Sequence, residues 1–149
     1  MPTSVTTALT QYPARYFAAW NGHRLDDVDG LLAPAFSWTD PSLPAELTEL
    51  AGAHGFFSSS WAAFPDLHFE ALGEPLLDPA ANRVAAEWRM TGTHTGAEFP
   101  PGAPASGRSF DVLGTDVFTV DLTVDVTGRA TAIRAYYDAA TLARQLGLA

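Results

Sequence analysis

The stretch from Phe110 to Val120 reads Phe-Asp-Val-Leu-Gly-Thr-Asp-Val-Phe-Thr-Val, and it indicates the fold more directly than any other part of the chain. β-branched and aromatic residues dominate it, which is typical of a β-strand. Successive side chains of a strand point to opposite faces. Asp116 is therefore the only polar side chain on a face that also carries Phe110, Val112, Gly114, Phe118 and Val120.

The position of Asp116 has three interpretations. A carboxylate among apolar neighbours loses hydration, so its neutral acid form is favoured. A neutral acid can donate a hydrogen bond to an oxygen that is gaining negative charge. Alternatively, this face turns toward solvent at Asp116, or the carboxylate accepts a backbone N–H at a bulge. The strand alone leaves these possibilities open.

The composition predicts one folded domain. The chain has 149 residues, of which 47% are hydrophobic and 17% charged, so it can bury a core and does not resemble a disordered protein. We expect a single domain over residues 1–149, with residues 1–9 flexible because they are small and polar. The absence of cysteine excludes disulfides and thiolate chemistry.

Charge and hydropathy limit the classes of binding partner and the cellular compartment that we expect. Eight basic and 17 acidic residues give a net charge of −9, which disfavours nucleic acid and anionic membrane as partners. The first residues lack a basic region followed by an apolar one, so no signal peptide is expected. No apolar run is long enough to cross a bilayer. A cytoplasmic protein fits these features.

Apolar spacing and end signals predict three helices in the first half of the chain. The first covers residues 11–21, with Pro13 in its first turn, and its inward stripe is Tyr12, Tyr16, Ala19 and Trp20. The second covers residues 25–32, with Leu25, Val28, Leu31 and Leu32 buried. The third covers residues 47–63, and its stripe is Leu47, Leu50, His54, Phe57, Trp61 and Phe64. A short last helix follows Asp138, which is predicted as its N-cap.

Alternating apolar residues predict five strands, at residues 36–40, 67–77, 83–93, 110–120 and 130–137. A turn at residues 125–128 precedes the last of them, and the segment 97–107, with three prolines and two glycines, is a loop. One strand between helices, followed by four antiparallel strands, indicates an α+β domain in which a curved antiparallel sheet wraps over about three helices. Such a sheet encloses a cone-shaped cavity.

The cavity is predicted to have an aromatic lining and polar groups at two strand ends. Its predicted lining, Tyr16, Phe36, Trp38, Trp61, Trp88, Met90, Phe118 and Tyr137, suits a flat, hydrophobic ligand that bears a carbonyl group. Asp40 shares the face of Phe36 and Trp38 and could be functional, or it could simply start a turn before Pro41. His94 could reach the same cavity as Asp116 or bond to loop backbone at its strand end.

Several motifs resemble the NTF2-like superfamily, in particular its SnoaL-like polyketide cyclases. They are Phe64-Pro65-Asp66-Leu67, Gly92-Thr93-His94-Thr95-Gly96 with the following proline loop and Gly107-Arg108, and Arg144-Gln145-Leu146-Gly147. The stretch from Ala14-Arg15-Tyr16 through Thr39-Asp40-Pro41 is similar to the corresponding part of ketosteroid isomerases. These likenesses imply an NTF2-like (cystatin-like) cone and a homodimer.

The likeness to ketosteroid isomerases implies a catalytic triad. In those enzymes a tyrosine of the first helix and a protonated aspartic acid of a later strand form an oxyanion hole, and an aspartate before a proline is the general base. The matching residues are Tyr16, Asp116 and Asp40, and Tyr137 falls where that family has a pocket aromatic. The acid/base aspartate and the pocket histidine of the polyketide cyclases are replaced here by Ala135 and Phe118.

The main hypothesis is an isomerase or cyclase of a small hydrophobic ketone, with Asp40 as base and Tyr16 and Asp116 as oxyanion hole. The predicted substrate-binding residues are Trp20, Trp38, Trp61, Trp88, Met90, His94, Phe118, Ala135 and Tyr137. No cofactor or metal is expected, because the four histidines, His23, His54, His68 and His94, lack paired-ligand spacing. The alternative is a non-catalytic module that binds a small ligand. Epoxide hydrolysis of the limonene type is disfavoured, since glycine occupies position 114, where those enzymes have an arginine.

Overall fold

The computed structural model describes residues 4–123 and 126–148. In this part of the chain there are three α-helices, α1 (Val5–Gly22), α2 (Leu50–Ala63) and α3 (Ala139–Gln145), and two 3₁₀ turns at Leu25–Asp27 and Pro79–Ala81. The strands are β1 (Leu32–Thr39), β2 (His68–Ala71), β3 (Leu76–Asp78), β4 (Arg83–Thr93), β5 (Ser109–Asp121) and β6 (Arg129–Tyr137). None of the described helices is long and apolar enough to cross a membrane.

The strands form one curved, unclosed sheet in the order β1-β6-β5-β4-β2, and β3 also pairs with β4. The predicted α+β cone is confirmed, with one correction to the sheet. β1 runs parallel to β6, whereas the pairs formed by β4, β5, β6, β2 and β3 are antiparallel. A hairpin forces its two strands to be antiparallel, but β1 is distant from β6 in the chain, so no hairpin fixes its direction.

The two long central strands confirm their predicted positions and faces. β4 spans the predicted residues 83–93, and β5 extends the predicted strand by one residue at each end. Their registers place Ala86 opposite Asp116 and Trp88 opposite Gly114. The predicted inward face of β5 is buried, from Phe110 at one end to Val120 at the other. Period-two alternation therefore identified the floor of the cone correctly.

Helix α1 begins earlier than predicted and contains Pro13 well inside it. It starts at Val5, with the Ser4 side chain accepting from the Thr7 N–H, so part of the segment expected to be flexible is helical, and Leu9 is fully buried. Pro13 was predicted to lie in the first turn, but it lies in the middle of the helix. Proline has no N–H, so the helix loses one backbone hydrogen bond there. Burial of helix residues before and after Pro13 compensates for the lost hydrogen bond.

The second predicted helix is wrong. Only the 3₁₀ turn Leu25–Asp27 forms, and β1 begins at Leu32, where it pairs with Ala130 of β6. Leu25 is exposed, whereas Val28, Leu31 and Leu32 are buried as predicted. Pairing with the sheet edge has overridden the helical spacing of the leucines.

Helix α2 begins three residues later than predicted and is rotated relative to the predicted stripe. Leu47 exchanges two backbone hydrogen bonds of 2.9 Å with Trp38 of β1, which keeps it out of the helix. The buried positions of α2 are Ala53, Phe57, Ser60 and Ala63. Leu50 is exposed, and His54 points outward to Asp29 at 2.7 Å. Small residues face the core here, so a stripe chosen by hydrophobic size alone is displaced.

The remaining elements follow the prediction more closely. The strand predicted at residues 67–77 is split into β2 and β3, with Gly73 in a left-handed conformation between them. Residues 124–125 lie outside the described part, so the predicted turn at 125–128 is described only at its end, where Gly128 also has positive φ. Asp138 caps α3 as predicted, accepting from the N–H groups of Ala140 and Thr141.

Candidate active site

A cavity lies between the inner face of the sheet and helices α1 and α2. Its volume is about 490 Å³, including the open space at its mouth. Its walls are mainly aromatic, which is typical of a site for a small apolar molecule. Seven of the residues predicted to form the site line it: Tyr16, Trp20, Asp40, Trp88, Met90, Asp116 and Tyr137.

Four distant parts of the chain bring polar groups to this cavity. Tyr16 comes from the middle of α1, Asp40 directly follows β1, Asp116 lies in the centre of β5, and Tyr137 ends β6. In the sheet, Asp116 has an alanine on either side, Ala86 of β4 and Ala135 of β6. Both neighbours of Asp116 in the sheet are therefore small.

Asp116 is buried and largely unsatisfied. Its side chain is 1% exposed, and within the described residues its Oδ1 atom has no hydrogen-bond partner. Burial raises the pKa of Asp116 well above its usual range, and the negative charge of Asp40 raises it further. Polar contacts with Trp88 and Tyr16 only partly oppose this rise. Burial therefore favours the neutral acid form of Asp116, which lines the cavity, and the two alternatives, solvent exposure and a bulge, are wrong.

Asp40 starts a turn and also lines the cavity. It starts a turn, because its carbonyl accepts from Leu43 and its Oδ1 atom accepts from the Ser42 N–H at 2.8 Å. The same Oδ1 atom accepts from the Tyr137 hydroxyl at 2.6 Å. Among the described residues, Oδ2 receives no hydrogen bond. Burial raises the pKa of Asp40, although the bonds from Tyr137 and Ser42 lower it.

Tyr16 supplies a second donor that keeps its proton. Burial raises the pKa of Tyr16 well above its usual value, and the carboxyl group of Asp116 raises it further. The ring packs edge-on against Phe118, with centroids 4.8 Å apart, and against Trp38. This packing fixes the direction in which the hydroxyl group points.

Gly114 allows one wall of the cavity to form. It lies between Trp88 and Tyr137 in the sheet register, and the two rings contact each other across it with centroids 5.7 Å apart. A Cβ atom at this position would overlap the Trp88 ring and lie 2.8 Å from the Tyr136 carbonyl oxygen. Only glycine therefore leaves room for the Trp88 ring at this position.

Replacing Gly114 with Ala should lower the free energy of unfolding by about 1–3 kcal/mol, because the added methyl group displaces the Trp88 ring. Urea denaturation followed by tryptophan fluorescence measures this effect. Gly55→Ala is the matched control, since Gly55 is exposed in α2 with no atom near its Cβ position, and alanine there should be stabilising. Equal stability changes in the two variants would show that Trp88 does not need the space above Gly114.

Some residues predicted to bind substrate do not line the cavity. Phe36, Trp38 and Phe118 are buried behind it, and Ala135 lies beside Asp116 without forming its wall. Trp61 packs outside, where its Nε1 atom donates to the Trp20 carbonyl at 2.9 Å and its ring stacks on His23. His94 bonds the Ala97 carbonyl at 2.8 Å, so the interpretation as a loop-binding histidine is the correct one.

The cavity also has walls that sequence reasoning missed. These are Ser42, Phe56, Ser60, Phe64, Leu67, Phe69, Phe99, Phe110 and Leu142. Phe110 shares the predicted face of Asp116, so its position could have been found from alternation. Phe99 belongs to the proline loop and Leu142 to the last helix, and no periodicity within the chain connects either of them to the sheet. In the described residues, no group of three or more His, Asp or Glu side chains could hold a metal ion.

Comparison with known proteins gives a consistent family and fold. Residues 14–125 match the profile of the SnoaL-like domain, while no curated protein sequence matches the chain. A candidate polyketide cyclase from Acidithiobacillus ferrooxidans is 25% identical, with a TM-score of 0.73 over 97% of this chain and 97% of that chain. A candidate SnoaL-like polyketide cyclase from Jannaschia sp. CCS1 is 20% identical, with a TM-score of 0.79 over 100% of this chain and 96% of that chain.

A third similar structure carries a ligand. It is a protein with a ketosteroid isomerase-like fold from Catenulispora acidiphila, in complex with trimethylamine. It is 19% identical, with a TM-score of 0.73 over 93% of this chain and 94% of that chain. The resemblance seen in the sequence motifs is thus confirmed by the domain match and by the fold, and the chain belongs to the SnoaL-like domain family of the NTF2-like superfamily.

Proposed function

We propose that the protein is an isomerase or cyclase that removes a proton from the carbon next to the carbonyl group of a small hydrophobic ketone. One observation carries the proposal: Tyr16, Asp40 and Asp116 all line the same apolar cavity. Family membership supports the coarser statement, an isomerase or cyclase type of reaction. The assignment of roles to the three residues is our inference from their burial and contacts.

Asp40 acts as the base. A base needs a pKa near the working pH and a lone pair directed at the substrate. The pKa of Asp40 is raised by burial, and its Oδ2 atom receives no hydrogen bond from the described residues, so one oxygen is available for proton transfer. The two bonds to Oδ1 hold the carboxylate in place during that transfer.

Tyr16 and Asp116 stabilise the enolate. As the C–H bond breaks, its electron pair moves toward the carbonyl oxygen, which then accepts hydrogen bonds from the two neutral donors. Both donors are buried, and both have raised pKa values, so they hold their protons while negative charge develops nearby. Asp40 then returns its proton to another carbon, which is an isomerisation. Alternatively, the enolate carbon attacks a second carbonyl group, and the new alkoxide takes the proton.

The direct test is exchange of the α-protons of a small cyclic enone in D₂O, followed by proton NMR. We expect the protein to accelerate the loss of the α-proton signal above the rate in buffer. The experiment needs no knowledge of the natural substrate, because exchange requires only the base and the oxyanion donors. A rate equal to that in buffer, with binding of the enone shown separately, would remove the proposed chemistry.

Tyr137 should set the pH at which Asp40 becomes active. Its hydrogen bond lowers the pKa of Asp40, so Tyr137→Phe raises that pKa. The base must be ionised, and the acid limb of the exchange rate should therefore move to higher pH, as expected when a hydrogen bond to the charged form is lost. Tyr136→Phe is the matched control, since Tyr136 is exposed on the opposite face. A limb that stays in place, or that moves to lower pH, contradicts the role given to Tyr137.

We also propose that two copies of the chain pair, as the family resemblance implies. The outer face of the sheet exposes Leu113 of β5 and Tyr136 of β6, whose side chains are 65% and 57% exposed. Position 136 pairs with position 115, so the two side chains are diagonal neighbours on the same face. They form an apolar patch that a second copy could cover.

A further inference from the structure

A second apolar hollow opens beside the cavity, against the C-terminal helix. We call it the α3 groove. Its volume is about 660 Å³, including open space. Its walls include Pro41 from the turn after β1, Phe99 and Pro100 from the proline loop, and Ala139, Leu142 and Ala143 from α3.

The α3 groove adjoins the cavity and shares wall residues with it. Ser42, Phe99 and Leu142 line both spaces. Ser42 also contacts the Tyr137 hydroxyl group and donates its backbone N–H to Asp40. The shared wall at Ser42 therefore lies next to Asp40, which places one end of the groove beside this carboxylate.

The residues that line the groove favour an uncharged, apolar ligand. Among the described residues its lining has no charged side chain, and Ser42 is the only one of them with a polar side chain. The whole protein carries a net charge of −9, which disfavours an anionic ligand. Apolar walls without hydrogen-bonding partners also disfavour a polar chain, because its groups would lose their bonds to water.

We propose that the α3 groove binds the apolar tail of the substrate, so that the substrate is an uncharged carbonyl compound with an extended hydrocarbon chain. The carbonyl end occupies the cavity, the tail passes Phe99 and Leu142, and its far part lies along α3. The identity of the head group rests on the proposed function. The tail site rests on the shape and chemistry of the groove alone.

Binding of a series of methyl n-alkyl ketones, from 2-butanone to 2-tridecanone, tests the proposal. Isothermal titration calorimetry on the whole chain gives each Kd. We expect the affinity to rise about fourfold for each added methylene that enters the groove, the gain typical of burying one such group, and then to stop rising. An affinity that stays constant along the series overturns the proposal.

Variants at two alanines of α3 distinguish binding in the groove from nonspecific binding of apolar ketones. Ala143 lines the groove and Ala140 does not, although both lie in the same short helix. Ala143→Phe fills the groove and should remove most of the gain with chain length, while Ala140→Phe keeps it. If Ala143→Phe does not fold, Ala139→Phe, at another groove position, replaces it. Equal chain-length dependence in groove and control variants overturns the proposal.

Two further readouts distinguish this proposal from others. Asp40→Asn should bind the series with an unchanged chain-length dependence, because the base is not needed for binding. If affinity depends on the ketone chain length but no proton exchange is seen, the tail site stands and the proposed function is wrong. If proton exchange is seen but affinity does not depend on chain length, the proposed function stands and the tail site is wrong. If Ala143→Phe changes the sedimentation of the chain but not ketone binding, the groove is a contact between copies and the proposal fails.

Discussion

Replacing Asp40 with Asn should slow the exchange of the α-proton of a bound ketone by about 10²–10⁴-fold, the usual contribution of a positioned general base. Asparagine has the same shape, and its oxygen can still accept from the Tyr137 hydroxyl and the Ser42 N–H, the two bonds that hold Asp40. The amide cannot take up the proton. The loss is therefore chemical and not structural, and it should be seen by NMR in D₂O.

Two measurements make the result for Asp40 specific. Asp26→Asn removes an equal charge from an exposed position and should leave exchange unchanged. The Kd of the ketone should be similar in the wild type and in Asp40→Asn. If both proteins bind the ketone and exchange its proton equally fast, Asp40 is not the base, and the protein is better described as a module that binds a small ligand.

The sheet could be predicted from the sequence because its period is short and its faces are chemically distinct. β4 and β5 alternate between buried and more exposed side chains over eleven and thirteen residues, which fixes both their extent and their inward faces. The helices were harder, because their ends depend on partners elsewhere. Leu47 pairs with Trp38 and Leu32 pairs with Ala130, and neither contact can be read from local spacing.

Some residues of the candidate site could also be predicted from the sequence, and others could not. Asp116 could be found because a single carboxyl group interrupts an apolar face, and Asp40 because it follows aromatic residues at a strand end. Trp38 and Phe118 share those faces but lie behind the cavity, since alternation gives a side chain's face and not its depth. The contacts of Tyr137 with Ser42 and Asp40 join positions 95 and 97 residues apart in the chain, and only the folded structure brings them together.

Replacing Asp116 with Asn should make the protein progressively more stable relative to the wild type as the pH rises above about 4. The pKa of Asp116 in the folded protein lies well above 3.8, its ordinary value. Between these two values the folded state holds a proton that the unfolded state releases. Wild-type stability therefore falls with rising pH across this window, by up to about 1.4 kcal/mol per unit, and becomes level above the folded pKa. Asparagine does not titrate, so the variant lacks this loss.

The measured quantity is the difference in free energy of unfolding between variant and wild type, obtained by urea denaturation at a series of pH values. A buried amide lowers stability by an amount that is independent of pH. The test therefore depends on how the stability difference changes with pH and not on its absolute value. Asp111→Asn, on the same strand, is a control of opposite sign. Its hydrogen bonds with Arg89 lower the pKa of Asp111, so this variant should become less stable relative to the wild type as the pH rises toward about 4, and the difference should be level above that pH. A flat difference for Asp116→Asn would mean that Asp116 ionises in the folded protein as easily as in the unfolded chain. It could not then donate a hydrogen bond to an enolate at neutral pH.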